Sequence, residues 1–188
     1  MINATKTALL LVDLQNAYFN NGELYERQDM LIKNANELIA IGYRNSMPVF
    51  NIRTEHLKDN ATWTLNMLDD KEGYLFKGDG DSKNITGLHT QNTIEVLKTR
   101  DSAFYNTTLL SMLQNYHITS VIICGVSTHT CILQTAADAY AANIRVTLAH
   151  ESIASHKPEF HDVSLKMLHM EYRQKLMTNS ELENNIKN

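Results

Sequence analysis

The sequence predicts an α/β fold, a doubly wound and mainly parallel sheet with helices on both faces. Two observations carry this expectation. Four near-continuous apolar runs, "TALLLVDL" at 7–14, "PVFNIRT" at 48–54, "SVIICGV" at 120–126 and "IRVTLAH" at 144–150, read as strands covered on both sides, because a strand with one wet face alternates polar and apolar residues instead. Segments of helical spacing separate these runs, so strand and helix alternate along the chain.

Taken in order, the first run follows a single nearby lysine and is interrupted by Asp13, with no small-residue cleavage site after it. It is a first strand and not a signal peptide. Met30, Leu31, Asn34, Leu38 and Ile41 keep the spacing of one helix face before the second run. The stretch from Glu55 to Gln91 breaks the rhythm with four of the seven glycines, and is expected to be an irregular functional excursion. A weaker strand, "TIEVLKT", follows at 93–99, then a helix marked by Leu109, Leu110, Leu113 and Tyr116. After the third apolar run, Ser127 or Thr128 can cap a helix read from "THTCILQTAADAYAAN". The tail from Pro158 reads as a helix, a short "KLMT" strand and a polar last helix starting near Ser180, with Glu183 closing a capping box. One domain spanning 1–188 is expected, with the excursion at about 55–91 as its embellishment.

Hydrophobic residues make up 43% and charged residues 20% of the chain, which places it among ordinary globular proteins. A net charge of -4 with no run of lysine or arginine gives no electrostatic footprint for nucleic acid or an anionic membrane. No stretch approaches the roughly 18 apolar residues that span a bilayer, so small molecules or proteins are the expected partners, a small-molecule substrate first. The two cysteines, Cys124 and Cys131, offer neither a disulfide framework nor metal-finger spacing. A reducing compartment, the cytoplasm, is expected.

Ligands of an open parallel sheet bind beyond the carboxyl ends of its strands. Asp13, Lys98 and Cys131 all fall at that edge: an acid, a cation and a thiol. Singly, each has a plain alternative, as a turn cap, a solvated strand end and a small core residue; their joint placement is what points to chemistry. Cys131 lies in the first turns of its helix, where free amides and the helix dipole favour a thiolate. Cys124, inside an apolar strand, reads as structural. His129 sits two positions from Cys131, so on a helix it faces elsewhere. His150 ends a strand and reads as a polar strand end, and the other histidines show no metal-ligand spacing. Tyr18, Phe19 and Trp63 are candidate substrate walls, or the packing of a lid. Arg53, at a strand end, is either a carboxylate-recognising residue or a member of a structural ion pair.

The segments "ALLLVDLQNAY", "VLKTRDSAFYNTTLLSML", "VIICGVSTHTCILQTAADAYAANIRVTLAHESIAS" and "HDVSLKML" together resemble the isochorismatase-like cysteine hydrolases, which include nicotinamidases and N-carbamoylsarcosine amidase. The resemblance spans nearly the whole chain, and its specific parts are K-x-R-x-S-A-F followed by G-V-x-T-x-x-C. It implies Asp13, Lys98 and Cys131 as a catalytic triad. It also implies a non-proline cis peptide between Val126 and Ser127, aiming the amides of Ser127 and Cys131 at an oxyanion.

Two departures bear on function. Nicotinamidases carry an Asp-x-His metal element soon after the second strand, whereas this chain reads "NIRTEHLKDNATW" there, so no metal or other cofactor is expected. True isochorismatases lack the cysteine that this chain has. Glu151 stands where many relatives have aspartate. The expected activity is hydrolysis of a small amide or amide-like C–N bond through a covalent thiol intermediate, by a homo-oligomer. A non-hydrolytic thiol or redox protein, and a catalytically silent binding member of the same fold, are the alternatives.

Overall fold

The computed structural model describes residues 1–187. Six parallel strands form the main sheet in the order β4-β3-β2-β5-β6-β7, from β2 (Thr7–Val12), β3 (Val49–Thr54), β4 (Ile94–Lys98), β5 (Ser120–Val126), β6 (Arg145–Ala154) and β7 (Lys175–Met177). The chain leaves β2 toward β3 on one side and later builds β5 on the other, so the winding reverses between β2 and β5. Side by side at that reversal, the carboxyl ends of the strands leave a crevice. A two-stranded ribbon, β1 (Ile2–Asn3) with β8 (Ile186–Lys187), ties the two chain ends together.

Strand periodicity divides the core into two layers. Leu9 and Leu11 of β2, with Val49, Ile122, Cys124 and Val126, pack against α1 (Gly22–Arg44) and Leu182 of α6 (Asn179–Asn185). Ala8, Leu10 and Val12, with Phe50, Ile52, Val121 and Ile123, pack on the opposite face against α3 (Leu109–Asn115), α4 (Leu133–Ala141) and α5 (Pro158–Tyr172). Both faces of the central strands are therefore dry, which is why they carry no polar alternation. The predicted fold class is the observed one.

Some expectations shift in detail. The buried stripe of α1 is Leu24, Leu31, Ala35, Leu38, Ile39, Ile41 and Gly42, while Met30 lies on the solvent side. Strand β6 runs on to Ala154, past the expected end at residue 150, and re-registers against β5 between Ile123 and Gly125. At Gly125 the backbone takes φ 122°, and an added Cβ would press into the carbonyl of Val12 on the neighbouring strand, so only glycine fits this close approach. The last helix begins earlier than Ser180. Thr178 accepts from Glu181 N (3.0 Å) and Glu181 accepts from Thr178 N (2.9 Å). Both "TNSE" and "SELE" have capping-box spacing; the first one starts the helix because Leu182 is then buried and Asn179 donates its side-chain amide to the Asn34 carbonyl and Glu37. No helix among the described residues is long and apolar enough to cross a membrane.

The 55–91 stretch holds one short helix, α2 (Leu65–Asp70), and otherwise irregular chain pinned by isolated bridges at His56–Phe76 and Gln15–Asn84. Gln15 anchors it from within. Its amide donates to the carbonyls of Thr54 (2.8 Å) and Ser82 (2.7 Å) and accepts from Thr54 N (2.8 Å). A fully buried side-chain amide satisfied this way holds the excursion over the carboxyl edge of the sheet.

Candidate active site

Asp13 follows β2 directly, in the left-handed conformation (φ 54°) that aspartate tolerates better than most residues. This turns the chain off the sheet at the reversal point. Lys98, the last residue of β4, is in register with Thr54 of β3 and reaches across it. Its Nζ lies 2.8 Å from Asp13 Oδ2, 2.8 Å from Thr54 Oγ1, 3.0 Å from the Arg100 carbonyl and 3.6 Å from Cys131 Sγ. Thr54 Oγ1 in turn donates to Asp13 Oδ1 (2.9 Å). Asp13, Lys98 and Cys131 are only 0%, 2% and 6% exposed. The three residues singled out in the sequence thus meet in one buried cluster.

One oxygen of Asp13 is held by the Lys98 ammonium alone. Asp13 Oδ2 is within ion-pair distance of Lys98 but receives no well-directed hydrogen bond, whereas Oδ1 is bonded to Thr54. A buried carboxylate oxygen of that kind is a ready proton acceptor.

The expected helix start differs from the one observed. Residues Thr128–Ile132 form a turn of π-helix ahead of α4, and neither Ser127 nor Thr128 caps it with its side chain. Both hydroxyls are taken by histidines instead, Ser127 Oγ by His156 Nδ1 (2.9 Å) and Thr128 Oγ1 by His161 Nδ1 (2.7 Å). His129 turns toward Ser155 (2.7 Å) and stacks near His156 and Phe160, away from the thiol as its position implied. Burial is the main influence holding all three imidazoles below the usual histidine range. The Val126–Ser127 peptide is cis.

The electrostatics correct the expectation of a resting thiolate. Burial first, and then the charge of Asp13, push the Cys131 thiol well up; Asp101 adds to this, and Lys98 opposes it. The start of a helix does not offset that desolvation, so the resting residue is a neutral thiol. For Lys98, burial pulls the ammonium down, but its acidic neighbours, Asp13 above all, outweigh it and hold the group charged beyond the ordinary lysine range. Cys124 is pushed up to about 12 by burial alone. It belongs to the core layer opposite that of Cys131, so the two thiols face different sides of the sheet.

Of the four candidate substrate contacts, only Tyr18 is at the site. Burial raises its phenol well above the usual value, and Asp13, Cys131 and Tyr74 add to the rise, so it stays a protonated donor. Phe19 is instead part of the core layer under α1. Trp63 packs over Gly73 and against Phe76, and its Nε1 donates to the Leu57 carbonyl (2.8 Å); it is the excursion's own core. Arg53 is committed to structure, bonding Glu95 twice (3.0 and 2.6 Å), Glu55 (2.8 Å) and the Ser82 carbonyl (2.7 Å). Position along a strand cannot separate these outcomes, because Arg53 and Thr54 are adjacent yet point to opposite faces.

Three site residues were not picked out in the sequence. Thr54 bridges the acid and the cation. Tyr74, from the excursion, stands near Cys131, Asp101 and Asp13, and burial first of all raises its phenol above the usual value. Asp101 Oδ1 lies 3.9 Å from Cys131 Sγ while its Oδ2 accepts from Gln134 Nε2 (2.8 Å). Thr54 and Asp101 carried a signal, as polar residues at the carboxyl ends of strands; Tyr74 carried none. Where a metal element would follow the second strand, Glu55 is bound to Arg53, and His56 Nδ1 contacts the Thr62 carbonyl (2.9 Å). No group of three potential ligands is positioned to hold a metal among the described residues. A concavity of about 860 Å³ opens at the other end of the sheet, around Lys6, Arg145 and Arg173, away from this chemistry.

The isochorismatase domain model matches residues 7–180, from the start of β2 into α6. The chain belongs to the isochorismatase domain family. A probable inactive nicotinamidase of Arabidopsis thaliana is 29% identical over 168 residues, covering 85% of this chain and 86% of the relative. Among solved structures, a cysteine hydrolase of Pseudomonas syringae pv. phaseolicola superposes with a TM-score of 0.87 at 20% identity, covering 97% of this chain and 93% of the other. N-carbamoylsarcosine amidase of Thermoplasma acidophilum does so at 0.80 and 22% identity, over 94% and 98% of the two chains. At those identities the isochorismatase-family likeness is one of fold, and the site has to speak for the chemistry.

Proposed function

We propose that the protein is a cysteine hydrolase that cleaves a small, non-peptide amide or ureido C–N bond. The observation that carries this is one ammonium shared by a buried acid and a buried thiol, with Lys98 Nζ 2.8 Å from Asp13 Oδ2 and 3.6 Å from Cys131 Sγ. Family membership supports it, and the structural neighbours include a cysteine hydrolase and an amidase.

The resting thiol is neutral, so its proton leaves as sulfur attacks. Asp13 Oδ2 takes that proton, the Cys131 Sγ–carbon bond forms, and negative charge moves to the carbonyl oxygen. Amides at Ser127 and in the first helical turn are the donors for that oxyanion. As the tetrahedral intermediate collapses, Asp13 returns the proton to the leaving nitrogen, the C–N bond breaks, and a thioester remains. Water then gives a proton to Asp13 and adds to the thioester, and the proton returns to sulfur as the acid departs. Lys98 stays protonated throughout. It offsets the charge of Asp13 before the transfer and that of sulfur during it.

A second reading has two observations in its favour. The three groups are almost sealed from solvent, as suits a silent binding member, and one relative is called probably inactive. A redox role is disfavoured, because Cys124 lies across the sheet and cannot resolve an oxidised Cys131. The test is ammonia release from a panel of primary amides and ureido compounds by the wild type and Cys131→Ala. Turnover in the wild type alone supports the hydrolase; no turnover of any member supports the silent reading.

A further inference from the structure

We infer that Asp101 is the specificity-determining residue of this site. It accepts an N–H of the bound molecule and selects uncharged or cationic amide and ureido groups over those carrying a carboxylate beside the reacting carbon. As a statement about substrate it rests on the hydrolase reading above.

Two carboxylates flank the thiol, and they differ in commitment. Asp13 is fully buried, tied to Thr54 and ion-paired with Lys98. Asp101 is half-buried at the rim and takes part in no ion pair among the described residues. Its Oδ2 accepts from the neutral amide of Gln134 in the first turn of α4, and its Oδ1 accepts from the Cys131 thiol at 3.9 Å, a long contact that a bound N–H can replace. A carboxylate oriented by one oxygen presents the other as an acceptor. Arg100, its neighbour in sequence, keeps its charge but turns one guanidinium nitrogen to the carbonyls of Thr62 (2.8 Å) and Thr99 (2.6 Å) and makes no ion pair with Asp101 among the described residues.

The charges that act most on the thiol are Asp13 and Asp101 against Lys98, an excess of one negative charge. Tyr18 and Tyr74, held protonated by burial above all, add donors but no charge. His129, on the far side of the turn, is held below the usual histidine range mainly by burial and adds none at neutral pH. A second anion brought to the reacting carbon meets the repulsion of that excess, whereas an N–H or a cation meets Oδ1.

The test uses the thiol itself and does not require turnover. In a Cys124→Ala background, Cys131 is modified with three methanethiosulfonates of one reactive group and similar size: neutral, sulfonate-bearing and trimethylammonium-bearing. Each rate is divided by that for a small free thiol, which removes intrinsic reactivity. Wild type is expected to favour the cationic over the anionic reagent by about tenfold, the effect of one uncompensated charge several ångströms away at a partly wet edge. The preference shrinks at high salt, falls to near unity in Asp101→Asn and survives in Asp101→Glu. Because cation and anion rates come from the same protein, a change in thiol ionisation cancels from the ratio. A wild type without the preference, a preference retained by Asp101→Asn, or a Cys131 that none of the reagents reaches would overturn the inference. If Asp101→Asn does not fold, Asp101→Ser is compared in its place with the same expected loss of preference. Hydrolysis with a flat ratio defeats this inference only, and a clear ratio without hydrolysis defeats only the hydrolase reading.

Discussion

Replacing Lys98 by methionine removes the one cation from a buried cluster of nearly the same shape. Its Nζ meets four groups within 3.6 Å, one of them the fully buried carboxylate of Asp13. Breaking a buried pair by deleting one partner costs about 3–5 kcal/mol, because the remaining charge is left uncompensated. The carboxylate can answer by binding a proton, and then it can no longer accept one from the thiol. Loss of the neighbouring positive charge also raises the thiol further, by about 1–3 units. Urea unfolding at pH 7 should therefore show a loss of about 3–5 kcal/mol, and the alkylation midpoint of Cys131, read with Cys124 replaced, should move up by at least about one unit. Lys98 is held charged beyond the ordinary lysine range, so its contribution is complete below about pH 10.4 and is lost only as pH climbs toward its folded value. The deficit of the variant should accordingly be present at neutral pH and close in strong alkali. A variant within about 1 kcal/mol of wild type with an unmoved alkylation midpoint would refute the idea that this ammonium neutralises both partners.

Thr54→Val keeps the shape and removes the hydroxyl between Asp13 and Lys98; stability should fall by about 1–3 kcal/mol with the fold retained by circular dichroism, and any turnover should drop far more than substrate binding does. Gly125→Ala should leave little folded protein in the soluble fraction, because the new methyl meets the Val12 carbonyl at a φ of 122°; a folded, stable alanine variant would contradict the close approach. Alkaline stability offers a third check. The Cys124 thiol is pushed up to about 12 while an unfolded thiol ionises near about 8.5, so the unfolded state loses protons first and stability falls as pH rises between those values. Unfolding midpoints from pH 8 to 10 should fall less steeply in Cys124→Ala, by up to about 1.4 kcal/mol per pH unit for one thiol.

The sheet was readable because its central strands are dry on both faces, so Leu9 and Leu10 are equally buried on opposite sides and the apolar runs are unbroken. Strand ends then located Asp13 and Lys98, and the turn after β5 located Cys131, without knowledge of any contact. What the runs could not show is which way a polar residue at a strand end points: Thr54 enters the site while Arg53, one residue earlier, turns to Glu55 and Glu95. The excursion was opaque for another reason. Its order comes from single long-range bonds, such as those of Gln15 to Thr54 and Ser82, and from Trp63 lying over Gly73, none of which leaves a period in the sequence. The charge state of Cys131 also escaped, since position at a helix start suggested a thiolate, and only the depth of burial together with Asp13 and Asp101 reverses it.

The central claim, that Cys131 is acylated and Asp13 carries its proton, is tested most directly by intact-mass spectrometry of the protein quenched in acid during exposure to small amides and ureido compounds. The account predicts an adduct of the acyl mass, mapped to the peptide holding Cys131, transient in wild type and absent from Cys131→Ala, with Cys124 unmodified in both. Hydrolysis that continues in Cys131→Ala, or turnover in wild type with the acyl group found on another residue, would contradict it.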